Sequence, residues 1–460
     1  MKYRAYLLSF TLTLSISLSL HTISEAGSET ELISTTVMYF NHVYNGSISG
    51  NGRFVAFHSS RNDLVPGDTN FARDVFVQDR QTGTIKRVSV NSSGLQANNH
   101  SVSPTISSDG RYVVFNSSAS NLVDGDLNGN GDVFVHDIQT EQTTLVSVST
   151  TGVQGSGGSY PSAISADGNI IAFDSSSNNL VANDTNNLMD IFVHDRQTGE
   201  TTRVNVDSSG NQADRESRVP AMSADGRFIT FSSYASNLVP GGTSTYSDIF
   251  VHDRQTGETS IVSINSSGFS GNSDSSWPSI SANGRFIVFS SLADNLVSED
   301  TNGVYDIFRY DRETDTLERI SIDSLGGQTD GPAGPVASDS RFWSYISSSG
   351  EYVAFESTAV NLVENDPNGG GKDMFIKNMV TGQVTRVDFV PYSPSGSSPA
   401  LRGFSADGNY IVFSSIIEDP VIDDPRVWAG IFTHGPLLIP EEDITGFVPA
   451  IPAVLLLAKP

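Results

Sequence analysis

A ten-residue block that recurs seven times along the chain is the strongest constraint on its fold. One copy reads ISSDGRYVVF, and the others keep its pattern of apolar residues around a Ser-x-Asp-Gly-like turn. Successive copies start 58 residues apart, except that the fifth and sixth start 66 residues apart. A fixed period of this length is typical of repeat architectures, in which each repeat is one small unit of secondary structure. The copies start at Ile48, Ile106, Ile164, Met222, Ile280, Ile346 and Phe404.

Each repeat predicts four short strands, which we call A to D. Strand A ends at the Ile-Ser of the block, and the Asp-Gly pair that follows is typical of a tight turn. Strand B, such as 111–117, alternates β-branched and aromatic residues as a sheet prefers. Strand C begins at Asp132 in the second repeat, and a short turn leads from it into strand D at Thr143. Four antiparallel strands in each of seven units predict an all-β fold, a seven-bladed β-propeller.

The two ends of the chain predict how the ring closes. The last repeat lacks a strand D, whereas the segment 31–40 matches strand D and precedes the first strand A. We therefore expect the N-terminal strand to complete the last blade, which removes exposed sheet edges. The predicted propeller domain spans residues 27–435, followed by a short C-terminal tail at 436–460.

Residues 1–26 are typical of a secretory signal peptide. Lys2 and Arg4 form a positive start, an apolar stretch follows at 7–20, and a small-x-small cleavage site ends at Ala26. The apolar stretch is shorter than the ~20 residues that a membrane-spanning helix needs, so no membrane span is expected in the mature chain. The chain contains no cysteine, so an exported protein of this sequence depends on its core or on bound ions. We predict export to the periplasm, the cell surface or the exterior.

Charge and motifs exclude several function classes. With 52 acidic and 26 basic residues the formal net charge is −26, which repels nucleic acids and anionic lipid surfaces. The sequence holds no Gly-x-Ser-x-Gly elbow, no His-Glu-x-x-His zinc helix and no phosphate-binding loop. The sequence therefore points away from nucleic-acid binding and from these catalytic classes.

The ten-residue block and the motif that follows it resemble a known repeat. Ser-x-Asp-Gly-Arg-Tyr-Val-x-Phe, followed by Asp-Val-Phe-Val-x-Asp and a Thr-Gly turn, is similar to the WD-like repeat of TolB-like propellers over roughly residues 31–435. In that family, TolB is a periplasmic protein with a six-bladed propeller and a separate N-terminal α/β domain, and it serves the Tol–Pal envelope system. This chain has no room for that domain and predicts seven blades. The resemblance therefore implies the fold, and the Tol–Pal role does not carry over.

The connections between strands B and C contain a regular Asp-x-Asn pattern, followed by the Asp that opens strand C. Clustered carboxylate and amide oxygens are the ligands of hard cations such as Ca²⁺. Such residues also set turns by bonding nearby backbone N–H groups, and this alternative stays open. In the fourth repeat Gly242 and Ser244 replace the first two residues, which favours a turn role for the remaining Asp248. The candidate Ca²⁺ ligands are Asp68, Asn70, Asp74, Asp126, Asn128, Asp132, Asp184, Asn186, Asp190, Asp300, Asn302 and Asp306.

The connections between strand D and the next strand A supply the candidate ligand-binding residues. They vary in length and reach the propeller axis, on the same face as the B–C connections, and binding groups often lie on variable loops. Their aromatic residues also fit the alternative of packing between blades. The candidates are Tyr44, His100, Tyr160, Glu216, Arg218, Asp274, Trp277 and Trp343.

Two functions fit these patterns. The first is a monomeric, exported binding or scaffold module that contacts a protein or a glycan through these loops, with Ca²⁺ as a stabilising ion. The second is a glycan-active hydrolase or lyase at the mouth of the propeller channel, for which Glu216 and Asp274 would face one another. Fold alone does not separate them, since propellers carry unrelated functions.

Overall fold

The computed structural model describes residues 29–37, 46–242, 245–323, 325–333, 344–364, 366, 369–387, 400–418, 427–435 and 437. No part of the chain within these ranges is helical, and every strand belongs to one of seven four-stranded antiparallel sheets. The predicted all-β, seven-bladed β-propeller is confirmed. Within the same ranges, no helix is long and apolar enough to cross a membrane.

Blades one to three contain strands A, B, C and D in chain order, and each strand pairs with the next. Blade one comprises β2 (Gly46–Ile48), β3 (Phe54–Ser59), β4 (Asp74–Asp79) and β5 (Thr84–Arg87). Blade two comprises β6 (Ser101–Ile106), β7 (Tyr112–Ser117), β8 (Asp132–Asp137) and β9 (Gln142–Leu145). Blade three comprises β10 (Ser159–Ile164), β11 (Ile170–Ser175), β12 (Asp190–Asp195) and β13 (Glu200–Arg203).

Blades four to six repeat the same order. Blade four comprises β14 (Ser217–Met222), β15 (Phe228–Ser233), β16 (Asp248–Asp253) and β17 (Glu258–Ile261). Blade five comprises β18 (Ser275–Ile280), β19 (Phe286–Ser291), β20 (Asp306–Asp311) and β21 (Thr316–Arg319). Blade six comprises β22 (Tyr345–Ile346), β23 (Tyr352–Ser357), β24 (Asp373–Asn378) and β25 (Val384–Arg386).

Blade seven is built from both ends of the chain. Its strands A to C are β26 (Ala400–Phe404), β27 (Ile411–Glu418) and β28 (Val427–Gly435), and its outer strand is β1 (Glu29–Val37). The pairing of β1 with β28 is antiparallel and runs from Glu29 opposite Gly435 to Val37 opposite Trp428. The predicted closure of the ring by an N-terminal strand is confirmed.

A pair of phenylalanines forms the centre of every blade. In blade three, Phe173 of strand B lies opposite Phe192 of strand C, and both are fully buried. Their ring centroids are 5.8 Å apart with the planes 28° from parallel, an offset stack that contributes about 0.5–1.5 kcal/mol beyond the buried area. The other pairs have the same geometry: Phe57–Phe76, Phe115–Phe134, Phe231–Phe250, Phe289–Phe308, Phe355–Phe375 and Phe413–Phe432.

The tight A–B turn also joins neighbouring blades. Gly110 in the Asp-Gly turn of blade two has φ 75°, and a Cβ at this position would lie 2.3 Å from the ring of Phe54 in blade one. Glycine is therefore needed both for the backbone angle and for the close approach of the two blades.

Candidate functional site

The strand register places the connections on two opposite faces. The A–B and C–D turns lie together on one face and are short, while the B–C and D–A connections form the other, which we call the loop face. Of the twelve large hydrophobic side chains exposed in the described part of the chain, only Val380 belongs to the turn face. The eleven on the loop face are Phe71, Leu95, Leu127, Val153, Tyr160, Tyr234, Tyr246, Phe269, Leu292, Leu325 and Val360.

In blade three an arginine lies against the candidate metal ligands. Arg203 Nη1 lies 3.4 Å from Asp184 Oδ1 and 3.5 Å from Asp190 Oδ2, and it donates a hydrogen bond of 2.8 Å to Gln212 Oε1. All three charged side chains are nearly inaccessible to solvent. The guanidinium group therefore supplies a positive charge beside the two carboxylates. The same arrangement forms in blades one and five: Arg87 with Asp68 and Asp74, and Arg319 with Asp300 and Asp306.

The asparagine of each Asp-x-Asn loop joins the two connections. In blade three, Asn186 Nδ2 donates to Asp190 Oδ1 and to the carbonyl of Ala213, both at 3.2 Å. Its Oδ1 accepts the N–H of Leu188 at 3.0 Å. These bonds hold the B–C loop against the D–A connection and set the turn, and they are repeated by Asn70, Asn128 and Asn302.

Blade two differs because Leu145 stands where blades one, three and five have the arginine. Gln154, from the D–A connection, is the donor to the two carboxylates instead. Its Nε2 donates to Asp126 Oδ1 at 2.6 Å and to Asp132 Oδ2 at 2.9 Å. Burial raises the pKa of Asp132, opposed by the hydrogen bond from Ser147. Among the described residues no group of three or more His, Asp or Glu is placed to hold a metal ion. Calcium binding by these loops stays a prediction, and blade two is the place to look for it.

The candidate residues before strand A have structural partners on the loop face. His100 Nδ1 accepts the N–H of Arg73 at 3.0 Å, and Asp274 Oδ1 accepts the N–H of Ser247 at 2.9 Å. Both side chains therefore hold the residue that precedes strand C of the preceding blade. Tyr160 is exposed on strand A of blade three.

Strand A of blade five carries a β-bulge at the position of a candidate tryptophan. Trp277 is half-buried there and has φ 58°. Tyr44 and Trp343, the two other aromatic candidates, lie outside the described residues.

The structure brings three of the candidates together between blades four and five. Arg218 Nη2 donates to Glu216 Oε2 at 3.0 Å, and both side chains are exposed to solvent. Burial raises the pKa of Tyr234, and the negative charges of Asp274 and Glu216 raise it further. Burial likewise raises the pKa of Tyr305, with Asp274 adding to the effect. We call these five residues the mouth cluster.

The two tyrosines of the mouth cluster were missed by sequence reasoning. Tyr234 aligns with Ser118 and Ser176 of the preceding blades. An aromatic residue at a position where these repeats have serine was therefore the available signal. Tyr305 immediately precedes strand C, at a position that is variable from blade to blade. Their hydroxyl groups add two donors to a surface that otherwise offers mainly carboxylates.

A pH dependence of stability is expected from Asp248 in blade four. Ser263 Oγ donates a hydrogen bond of 2.7 Å to this carboxylate, and burial raises its pKa to about 7, with the charge of Asp274 adding to the effect. Because an unfolded aspartate titrates near ~3.9, the folded chain retains a proton that the unfolded chain has lost. The stabilising contribution is full below pH ~4 and is lost as the pH rises toward 7.

We therefore expect Asp248→Asn to raise the thermal midpoint relative to the original protein increasingly between pH 4 and pH 8. Thermal unfolding followed by circular dichroism across this range measures the difference. Asp253→Asn is the control, because Arg227 holds the pKa of that carboxyl at about 2 and its effect is constant over the same range. If the thermal midpoints of Asp248→Asn and the original protein differed by the same amount at every pH, the raised pKa of Asp248 would be contradicted.

No protein-family model matches the chain, and no curated protein matches its sequence. Solved structures do match. An oligogalacturonate lyase from Vibrio parahaemolyticus is 12% identical with a TM-score of 0.50, over 88% of this chain and 93% of the lyase. A TolB structure from Acinetobacter baumannii is 16% identical with a TM-score of 0.37, over 84% of this chain and 79% of the other. A TolB-type structure from Agrobacterium tumefaciens is 15% identical with a TM-score of 0.38, over 60% of this chain and 80% of the other.

Similarity at these identities concerns the fold and leaves activity open. The chain is a seven-bladed β-propeller, consistent with the TolB-like propellers that its repeat resembles.

Proposed function

We propose that the protein is an exported binding module that holds a partner protein on its loop face. The observation that supports this most is the segregation of exposed hydrophobic side chains, of which eleven of the twelve described lie on the loop face. Scattered single hydrophobic residues are normal on a protein surface, but their concentration on one face is typical of an interaction site.

The chemistry of this face suggests the kind of partner. On the rim of blades one and two, Phe71 and Leu127 are 83% and 88% exposed, and Leu95 and Val153 accompany them on the adjoining D–A connections. The formal net charge of the chain is −26, and Asp274 of the mouth cluster forms no ion pair with any described residue. A partner with apolar side chains surrounded by basic residues would complement both features.

Export is part of this proposal. The signal-like segment at 1–26 supports it, and the lack of cysteine in the chain fits a bacterial export route. The periplasm, the cell surface and the exterior are all compatible with it.

The second candidate is a glycan-active hydrolase or lyase at the channel mouth. The specific observation in its favour is the mouth cluster, where Tyr234 and Tyr305 lie within electrostatic reach of Asp274. The similar Vibrio structure is that of an oligogalacturonate lyase, which makes uronate-containing polysaccharides the first substrates to try. If this candidate is correct, the original protein releases sugar products from such polysaccharides, and Tyr234→Phe does not.

The binding proposal is tested with the full chain immobilised and exposed to envelope extracts of the cells that encode it. Retained proteins are identified by mass spectrometry, purified and titrated against variants of the propeller. We expect Phe71→Asp/Leu127→Asp to weaken binding by about tenfold or more, because apolar anchors dominate such interfaces. Val380→Asp is the matched control, since Val380 is 77% exposed on the turn face and should not affect binding. Equal affinity of both variants for every purified partner would refute the assignment of the loop face.

A further inference from the structure

We propose that a cleft in the loop face of blade four binds a neutral sugar unit of a glycan. This blade-four cleft, with a volume of about 450 Å³, lies between the B–C and D–A connections and is lined by Thr245, Tyr246, Phe269, Ser270, Asn272 and Asn295, together with three glycines. It is a site distinct from the rim of blades one and two, and its occupation does not depend on a partner protein.

Blade four has lost the polar network that fills the same region of its neighbours. In blade three, Asp184, Arg203 and Gln212 connect the two loops. The aligned residues of blade four are Gly242, Ile261 and Ser270, so the carboxylate, the guanidinium and the long amide are all absent from one blade. The three residues whose side chains connect the loops of blade three therefore have no counterpart of the same chemistry in blade four.

Two exposed aromatic rings take part in the lining. Phe269 is 67% exposed and Tyr246 is 37% exposed, and both border the same cleft. The aligned positions of blade three hold Asn211 and Leu188. Aromatic side chains combine a broad apolar face with low conformational freedom, which suits them to stack against a flat ligand. The C–H face of a pyranose ring is such a ligand, and it carries hydroxyl groups around its edge.

The polar groups of the cleft fit those hydroxyls. Asn272 Nδ2 donates to Asp294 Oδ1 at 2.6 Å, and Asn295 Nδ2 donates to the carbonyl of Ser270 at 3.0 Å. An amide nitrogen carries two N–H groups, so each asparagine has a second donor beyond these bonds. The hydroxyl groups of Thr245 and Tyr246 act as both donors and acceptors.

The charge around the cleft selects a neutral sugar. None of the described residues that line it is Lys, Arg, Asp or Glu, so this lining offers no cation to a uronate or a sulfated sugar. Nearby carboxylates and the net charge of −26 repel anionic glycans. The volume lies within the range of ordinary small-molecule sites.

Blade five provides an internal comparison. Its loop-face cleft has a similar volume of about 440 Å³, but Glu299, Arg319 and Gln328 line it, and none of the described lining residues is aromatic. The two clefts therefore differ in chemistry and hardly in size. Aromatic stacking is available in blade four and missing in blade five.

The test uses the full chain and an array of neutral and uronate-containing oligosaccharides, followed by saturation-transfer NMR and calorimetry with the neutral glycans that bind. We expect binding of neutral glycans alone, and a loss of affinity of about tenfold in both Phe269→Ala and Tyr246→Ala, since aromatic anchors dominate binding sites. Val380→Ala is the control, because it removes an exposed apolar side chain from the turn face, away from the cleft.

A filling variant gives a second readout. Ile261→Arg/Ser270→Gln restores two members of the network found in blade three and should abolish glycan binding while leaving the fold intact. The proposal is overturned if no neutral glycan binds, if only uronates bind, or if the Phe269→Ala and filling variants retain full affinity. A protein partner on the rim of blades one and two would be unaffected by any of these outcomes.

Discussion

Replacing Arg203 with leucine is expected to lower the free energy of unfolding by about 3–5 kcal/mol, because it leaves two buried carboxylates without a cation. Asp184 and Asp190 both lie within 3.5 Å of Arg203 Nη1 and are nearly inaccessible to solvent. Burial already raises the pKa of Asp190 in spite of the arginine. Protonation relieves the uncompensated charge, so the loss should be larger at pH 8 than at pH 4. Urea unfolding at both pH values measures it.

The matched control removes an arginine from the turn face. Arg53 forms a two-point ion pair with Asp79, at 2.9 and 2.7 Å, but its side chain is 41% exposed. Arg53→Leu should therefore cost at most about 1 kcal/mol, as exposed ion pairs do. If the Arg53 and Arg203 variants lost the same stability, the buried network would have no special role in holding the loops.

Removing β1 is expected to have the other large effect. Without residues 29–37, the whole length of β28 becomes an exposed sheet edge, from Trp428 to Gly435. Unpaired edges pair with other chains, so the shortened protein should unfold at a lower temperature and form soluble oligomers or aggregates. Thermal unfolding and light scattering detect both changes.

A peptide supplies the control for this experiment. Adding a synthetic peptide of sequence ETELISTTV should restore the monodisperse form, whereas a scrambled peptide of the same composition should not. A shortened protein that is as stable and as monodisperse as the full chain would show that the ring does not depend on its N-terminal strand.

The fold could be predicted from the sequence because its constraints are local and repeated. The Asp-Gly turn, the alternating strand B and the Asp that opens strand C all recur at fixed spacing, and each copy confirms the others. The closure of the ring could also be predicted, because the last repeat lacks a strand D and a matching strand precedes the first repeat.

The chemistry of the loops was harder to predict because it depends on strand register. Asp184 and Asp190 were recognised as clustered oxygens, but Arg203 lies on strand D and meets them only when β13 pairs with β12. An arginine at the same position of strand D in blades one, three and five was the available signal. The convergence of Tyr234 and Tyr305 similarly depends on how blade four packs against blade five, which no spacing within one repeat reveals.

The location of β1 also dictates the order in which the molecule can form. Its partner strand lies about 400 residues away along the chain, so closing that contact first would cost about 5 kcal/mol of chain entropy, against about 2 kcal/mol for a ten-residue hairpin. Once the intervening blades have folded, the two ends are already neighbours and most of this entropy has been lost. β1 precedes every other described strand along the chain, yet it must be among the last to pair. Until then β1 stays unpaired, and the edge of β28 that it will cover must be kept from pairing with other chains.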